Sequence, residues 1–273
     1  MQIPACMEYI LPAFATVFLS AFVFNKIIEP AYILIFHKPM FVHFYLFPQE
    51  LSKTEQAVLQ SEFSFYKMLS VSGKVYFQHR VSRFIKTYKF VGRDGLVVTD
   101  EMKAKIAATS VMLTFGMRKY LYDVFDTILI YPQVYTSPKD VALHKGEFNP
   151  AMRVIVFSWY DFEQGILFDN DNLNLGLHEF AHALHFDSLR KRRAGASATI
   201  YRDMFNEIMD YVAKPENRAR LVEQDYFRKY AYTNPHEFMA VILEYFFETP
   251  STFKQKFPEL YDLVKKMINF RER

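Results

Sequence analysis

The sequence predicts an α+β fold: helical segments at both ends of the chain enclose a middle stretch carrying two short β-branched and aromatic runs. The runs are Thr127–Tyr131 and Val154–Trp159, each bounded by turn-forming residues, and they read as strands. Helix signals are clearest where Asp100–Glu101 opens the segment MKAKIAATSVMLTFGM, and where apolar residues recur at spacings of three and four around Leu177–Leu184. With 273 residues, 51% of them hydrophobic, the chain can bury a large core, which excludes a disordered protein. A net charge of +3, without a basic run interleaved with aromatics, argues against a nucleic-acid partner. Cys6 is the only cysteine, so a disulfide framework is impossible and any metal site must use His, Asp or Glu.

In chain order, the first element is YILPAFATVFLSAFVF, an uncharged run from Tyr9 to Phe24 bracketed by Glu8 and Lys26. At about 1.5 Å per residue it falls slightly short of a ~30 Å hydrocarbon core, and Tyr9 and Lys26 would lie at the two interfaces. A membrane anchor over 9–24 is therefore expected; the competing reading is a buried helix bent at Pro12. No basic segment precedes the run and no A-x-A site follows it, which disfavours a cleaved signal peptide. Lys26 and Lys38 follow the run while Glu8 precedes it, so the positive-inside rule places the remaining chain in the cytoplasm. If the run is instead buried, the protein is a soluble cytoplasmic one.

Residues 31–47 stay apolar and aromatic but are broken by His37, Lys38 and Pro39. They read as a lead-in packing on the domain or on the membrane surface rather than as a second span. The composition changes at Pro48, where an amphipathic helix begins. The expected division is a hydrophobic segment over 1–47 and a soluble domain over 48–273. Within that domain Val97–Thr99 reads as a strand end entering an acid-capped helix, Asp169–Asn172 as a turn, and Tyr201–Val212 and Pro235–Phe247 as further helices.

The chemistry lies in LHEFAHALHF, Leu177 to Phe186. Helix positions four apart lie about 40° apart around the axis and one turn along it, so the imidazoles of His178 and His182 can converge on one ion. Glu179, rotated about 100° from His178, falls beside that ion and within reach of a water. Leu173, Leu177, Phe180 and Leu184 would hold the helix rigidly through an apolar stripe. The bland alternative is a pair of satisfied core histidines with Glu179 facing an arginine. Two imidazoles and a carboxylate on an apolar helix are costly to bury without a shared partner, however, and Zn2+ is the natural one.

Zinc needs a third protein ligand. A third histidine ten residues after the first is excluded, because that position is Ser188. A carboxylate from a later helix remains, with Glu207, Asp210, Glu237 and Glu244 as candidates. In Asn234-Pro235-His236-Glu237 the glutamate could equally close a capping box behind Asn234. Spacing alone leaves ligand and cap open.

Five stretches in a fixed order resemble the MtfA-like (Mlc titration factor) zinc metallopeptidases: VVTDEMKAKIAA (97–108), ILIYPQVY (128–135), VFSWYDFEQG (156–165), LHEFAH (177–182) and YAYTNPHEFMAVILEYFFETP (230–250). That family is distantly similar to the catalytic domain of anthrax lethal factor. The resemblance spans most of the chain from about Leu51 to Tyr261 and leaves the first 47 residues uncovered. It implies a zincin-like metallopeptidase domain with a small sheet and an HExxH helix. His178, His182 and Glu237 would be zinc ligands, Glu179 the general base, and Tyr230 the donor to the oxyanion. Glu244 would then support a ligand or pair with a cation. The family usually carries Asp three residues after the second histidine, where this chain has His185. That residue is expected to be a polar wall, with a supporting role for a ligand or alternate ligation as the other options.

The expected activity is hydrolysis of a peptide or protein substrate, with Glu179 moving the proton. The strand at Val154–Ser158 could align that substrate by edge pairing or simply form sheet core. The alternative from a different class is a zinc-stabilised regulatory protein that captures a partner such as a transcriptional repressor, with little or no turnover. Arg190-Lys191-Arg192-Arg193 could serve that binding or touch anionic lipid, although a solvated helix end is the more ordinary role.

Overall fold

The computed structural model describes residues 5–136, 143–168, 170–190 and 195–271. Of the sequence expectations, Asp169 and residues 191–193 of the basic run lie outside them. The chain is mostly helical with a small sheet and an apolar N-terminal helix. That helix comprises α1 (Ala5–Val23), a π-helical stretch (Phe24–Ile28) and α2 (Glu29–Phe36). Its side chains from Phe14 to Ile28 are largely exposed, and Glu29 and Ile33 on α2 are buried. His37, at φ 48°, ends it in a left-handed turn.

Helices α3 (Lys53–Glu62), α4 (Ser64–Lys67) and α5 (Val71–Thr87) follow. Ser52 and Glu55 close a capping box on α3, and the Ser70 hydroxyl accepts from Gly73 N–H at the start of α5. β1 (Lys89–Gly92) leads through a loop to α6 (Asp100–Thr114), which Thr99 caps. The strand thus lies earlier than expected: Val97 and Val98 are outside the sheet, and Val97 is 80% exposed. Asp94 and Gly95 at positive φ turn the chain out of the sheet before those valines.

β2 (Thr127–Tyr131), β3 (Tyr135–Thr136), β4 (Leu143–His144), β5 (Gly146–Asn149) and β6 (Val154–Ser158) complete the strands. The main sheet has the order β1-β2-β6-β5, parallel except for the antiparallel pair β5–β6, and β3 pairs with β4 separately. Edge pairing through Val154–Ser158 is therefore corrected: β6 is flanked on both sides, and β1 and β5 are the edges. An uninterrupted apolar run such as VIVF suits a strand covered on both faces.

The remaining helices are α7 (Trp159–Leu167), α8 (Leu175–Leu189), α9 (Ala196–Ala213), α10 (Pro215–Glu223), α11 (Pro235–Glu248), α12 (Pro250–Lys256) and α13 (Pro258–Met267). Ser158 ends β6 and caps α7 in one step, its hydroxyl accepting from Asp161 N–H. Asn174 caps α8 by accepting from Leu177 N–H. Helix α8 packs on α11, α6 and β5, so it lies in the core between the sheet edge and the C-terminal helices. Leu177, Phe180 and Leu184 are buried as the stripe predicts. Leu173 is not part of it: it precedes the cap and is 60% exposed.

Candidate metal centre

His178, Glu179 and His182 occupy the first half of α8, Glu179 buried and both histidines partly so, and Glu237 enters from the first turn of α11. The cap on α11 is made by Asn234 and does not use the Glu237 side chain. Asn234 Oδ1 accepts from the N–H groups of His236 and Glu237, at 2.9 and 3.0 Å. The Glu237 carboxylate is left free to point at α8. Its Oε2 lies 3.1 Å from His178 Nε2 and 3.4 Å from His182 Nε2, and the two Nε2 atoms are 3.1 Å apart. Ligand atoms about 2.05 Å from a tetrahedral ion would stand roughly 3.3 Å from one another, so the triangle fits a single small cation.

Electrostatics favour the same conclusion. Burial alone would lower the His178 pKa, but hydrogen bonds to Glu237 and Glu244 and the nearby carboxylate charges push it up to about 10. Burial alone would raise the Glu237 pKa, but hydrogen bonds to His178 and His182 hold it well below the carboxylate range. The pocket therefore demands positive charge, which a proton on imidazole or a metal ion would supply. Glu237 Oε2 is buried with both imidazole Nε2 atoms beside it, so its lone pairs face the point where a cation would sit.

Glu244, two turns along α11 from Glu237, lies behind His178. Its Oε1 is 2.7 Å from His178 Nδ1, which keeps a proton on Nδ1, so that a cation displacing the other ring proton would meet the Nε2 lone pair. Arg228 Nη1 donates to Glu244 Oε2 at 3.0 Å, and Nη2 reaches Oε1 at 2.5 Å. The backbone N–H of Asn174 donates to Oε2 at 3.1 Å, tying the start of α8 to the same carboxylate. Glu244 is only 1% exposed, and these bonds make its buried charge tolerable. Sequence reasoning missed Arg228, which no spacing connects to α8. Glu207 and Asp210 sit on α9 beside Lys214, Glu259 and Lys266, away from the imidazoles.

Glu179 faces the edge strand. Burial raises its pKa, partly opposed by His178 and His182 and by the Phe148 N–H that its carboxylate accepts. No room exists for a side chain on β5 opposite it: a Cβ at Gly146 would come within 2.9 Å of Glu179 Cγ and Oε1, and 2.7 Å of Leu175 Cδ1. Tyr230 stands in a 3₁₀ turn (Lys229–Tyr232), half-exposed, with its ring 6.1 Å from that of His178. Burial and the Glu237 carboxylate push its pKa up to about 12, so it stays a donor at neutral pH. His185 turns the other way, with Nδ1 3.1 Å from the Tyr201 hydroxyl and its ring against Phe205 and His236. Burial and the neighbouring histidines drive its pKa down to about 3, as expected for a neutral wall residue. An open cleft runs past the site, lined by His144, Gly146, Tyr160, Leu173, Arg228 and Tyr230 among others.

Comparison with known proteins adds an independent finding. The family model for glucose-regulated metallo-peptidase M90 matches residues 45–269. The Synechocystis protein slr2042 is 26% identical over 238 residues, covering 81% of this chain and 85% of its own. Mlc titration factor A of Yersinia pestis (strain Pestoides F) and of Yersinia pseudotuberculosis (serotype O:1b) are each 26% identical over 200 residues, covering 66% of this chain and 71% of theirs.

Proposed function

The chain belongs to the glucose-regulated metallo-peptidases M90, and on that premise we propose that it is a zinc-dependent peptidase with His178, His182 and Glu237 as ligands. The observation that carries the reading is the triangle of two imidazole nitrogens and one carboxylate oxygen, beside a second, buried carboxylate. A zinc ion held there supplies Lewis acidity, polarising a carbonyl and making water a nucleophile near neutral pH.

The chain's own groups do the rest. Glu179, its pKa raised by burial, accepts a proton from the attacking water and returns it to the leaving amine. Tyr230 donates to the oxygen on which negative charge develops. Glu244 holds His178 in one tautomer and one orientation, and Arg228 holds Glu244 in place by donating to both of its carboxylate oxygens. An extended peptide laid along β5 would add a strand to the sheet beside Glu179, which packs against Gly146 of that strand. The N-terminal helix serves as a membrane anchor, with Lys26 and Lys38 placing the peptidase domain in the cytoplasm.

A second reading takes its support from the name Mlc titration factor A borne by two relatives. In it the zinc site stabilises a protein whose output is capture of a regulatory partner. Digestion of an unstructured peptide library by the full chain separates the two. Cleavage that disappears in Glu179→Gln, with zinc retained, supports the peptidase. An inert wild-type protein carrying full zinc contradicts it.

A further inference from the structure

The segment after the anchor helix is pinned to the domain along one face and bare along the other. Arg118 forms a two-pronged ion pair with buried Glu29, donates to the Phe41 carbonyl at 2.9 and 3.1 Å, and lies 3.8 Å over the Phe41 ring. Arg80, fully buried, donates to the Tyr45 hydroxyl at 2.7 Å and to the carbonyls of Thr114 and Phe115. The His43 ring packs at 4.8 Å from Tyr76 and 4.6 Å from Phe115, and Tyr45 at 4.0 Å from His79. These bonds fix residues 41–45 as a strap across α5 and the end of α6.

Large apolar side chains are exposed on either side of it: Leu34 (75%), Ile35 (67%) and Phe36 (54%) at the end of α2, and Phe44 (72%), Leu46 (75%) and Phe47 (88%) on and just after the strap. Because Arg80 and Arg118 tie the strap to the domain, these residues cannot relieve their exposure by folding back. Isolated exposed apolar residues need no explanation, but six large ones within fourteen residues of chain mark a contact surface.

We infer that these residues form a second membrane contact, lying in the interfacial layer where the anchor helix leaves the bilayer; the inference rests on the anchor reading above. Continuity identifies the occupant. The helix from Ala5 to Ile28 is about 36 Å long at 1.5 Å per residue, enough for a hydrocarbon core of ~30 Å. Phe24 stacks on Phe41 of the strap at 6.3 Å and Glu29 pairs with Arg118, so the bilayer surface falls beside the strap. Lys26 precedes these residues and Lys38 falls among them, where anionic headgroups would meet them. The peptidase domain is thus held at a fixed height and orientation rather than swinging on a flexible linker.

The test uses the full chain in phosphatidylcholine/phosphatidylglycerol vesicles, with Cys6 replaced by serine. Single cysteines at Phe18, Phe44, Leu46, Phe47 and Val222 carry an environment-sensitive fluorophore, and the lipids carry a nitroxide quencher near the headgroup. Labels at 44, 46 and 47 are expected to be quenched at least threefold more than the label at 222, on remote α10. Arg118→Ala should weaken quenching at 44, 46 and 47 while leaving that at 18. Quenching at 18 with values at 44–47 equal to 222 would overturn the inference while leaving the anchor standing. Labels at 44–47 shielded from lipid but crosslinking to a second copy would also overturn it.

Discussion

Glu244 Oε1 lies 2.7 Å from Nδ1 of His178, on the side of the ring opposite the metal triangle. A hydrogen bond there fixes the tautomer that ligates through Nε2 and raises the basicity of that nitrogen. Glu244→Gln is therefore expected to weaken zinc binding by about 10- to 100-fold while sparing all three ligands. Competition against a chromophoric chelator measures this, and an unchanged affinity would remove Glu244 from the site.

Gly146 is a packing requirement imposed by Glu179. Gly146→Ala should displace the carboxylate or push β5 away, at a cost of about 1–3 kcal/mol for forced overpacking. Turnover is expected to fall sharply with zinc content unchanged, as read by elemental analysis and peptide cleavage on one preparation.

Tyr230 bears on turnover more than on binding. Tyr230→Phe removes a single donor to the developing oxyanion, which costs about 10²–10³ in kcat. A KM close to that of wild type would accompany the loss, whereas a rise in KM alone would assign the ring to substrate binding.

Glu248 offers a pH test away from the chemistry. Burial, with the Glu244 and Asp171 carboxylates adding to it and Asn174 and Asn172 opposing, pushes its pKa up to about 8 from the usual 4.5. The folded state holds this proton more tightly than the unfolded chain, so its contribution to stability is complete below about pH 4.5 and is lost as pH rises through 8. Glu248→Gln should leave the melting temperature near pH 4.5 unchanged and raise it at pH 8.5. Equal shifts at both values would contradict the assignment.

Much of this was legible in the sequence because it rests on short-range periodicity. His178, Glu179 and His182 are grouped by one helical turn, and Asn234-Pro235 marks the helix start that delivers Glu237. β2 and β6 announce themselves through β-branched runs. What spacing does not encode is long-range pairing. β1 and β5 are four-residue strands whose place depends on β2 and β6, and Arg228 reaches Glu244 only because a turn folds back against α11. The edge role fell to β5 rather than β6 because strand order, unlike strand content, leaves no local mark.

The most direct measurement of the central claim is zinc stoichiometry by elemental analysis of the folded full chain and its variants. The account predicts about one zinc per chain in wild type and in Glu179→Gln, and almost none in a His178→Ala/His182→Ala double variant. Full occupancy in the double variant, or no zinc bound by wild type at saturating concentration, would contradict it.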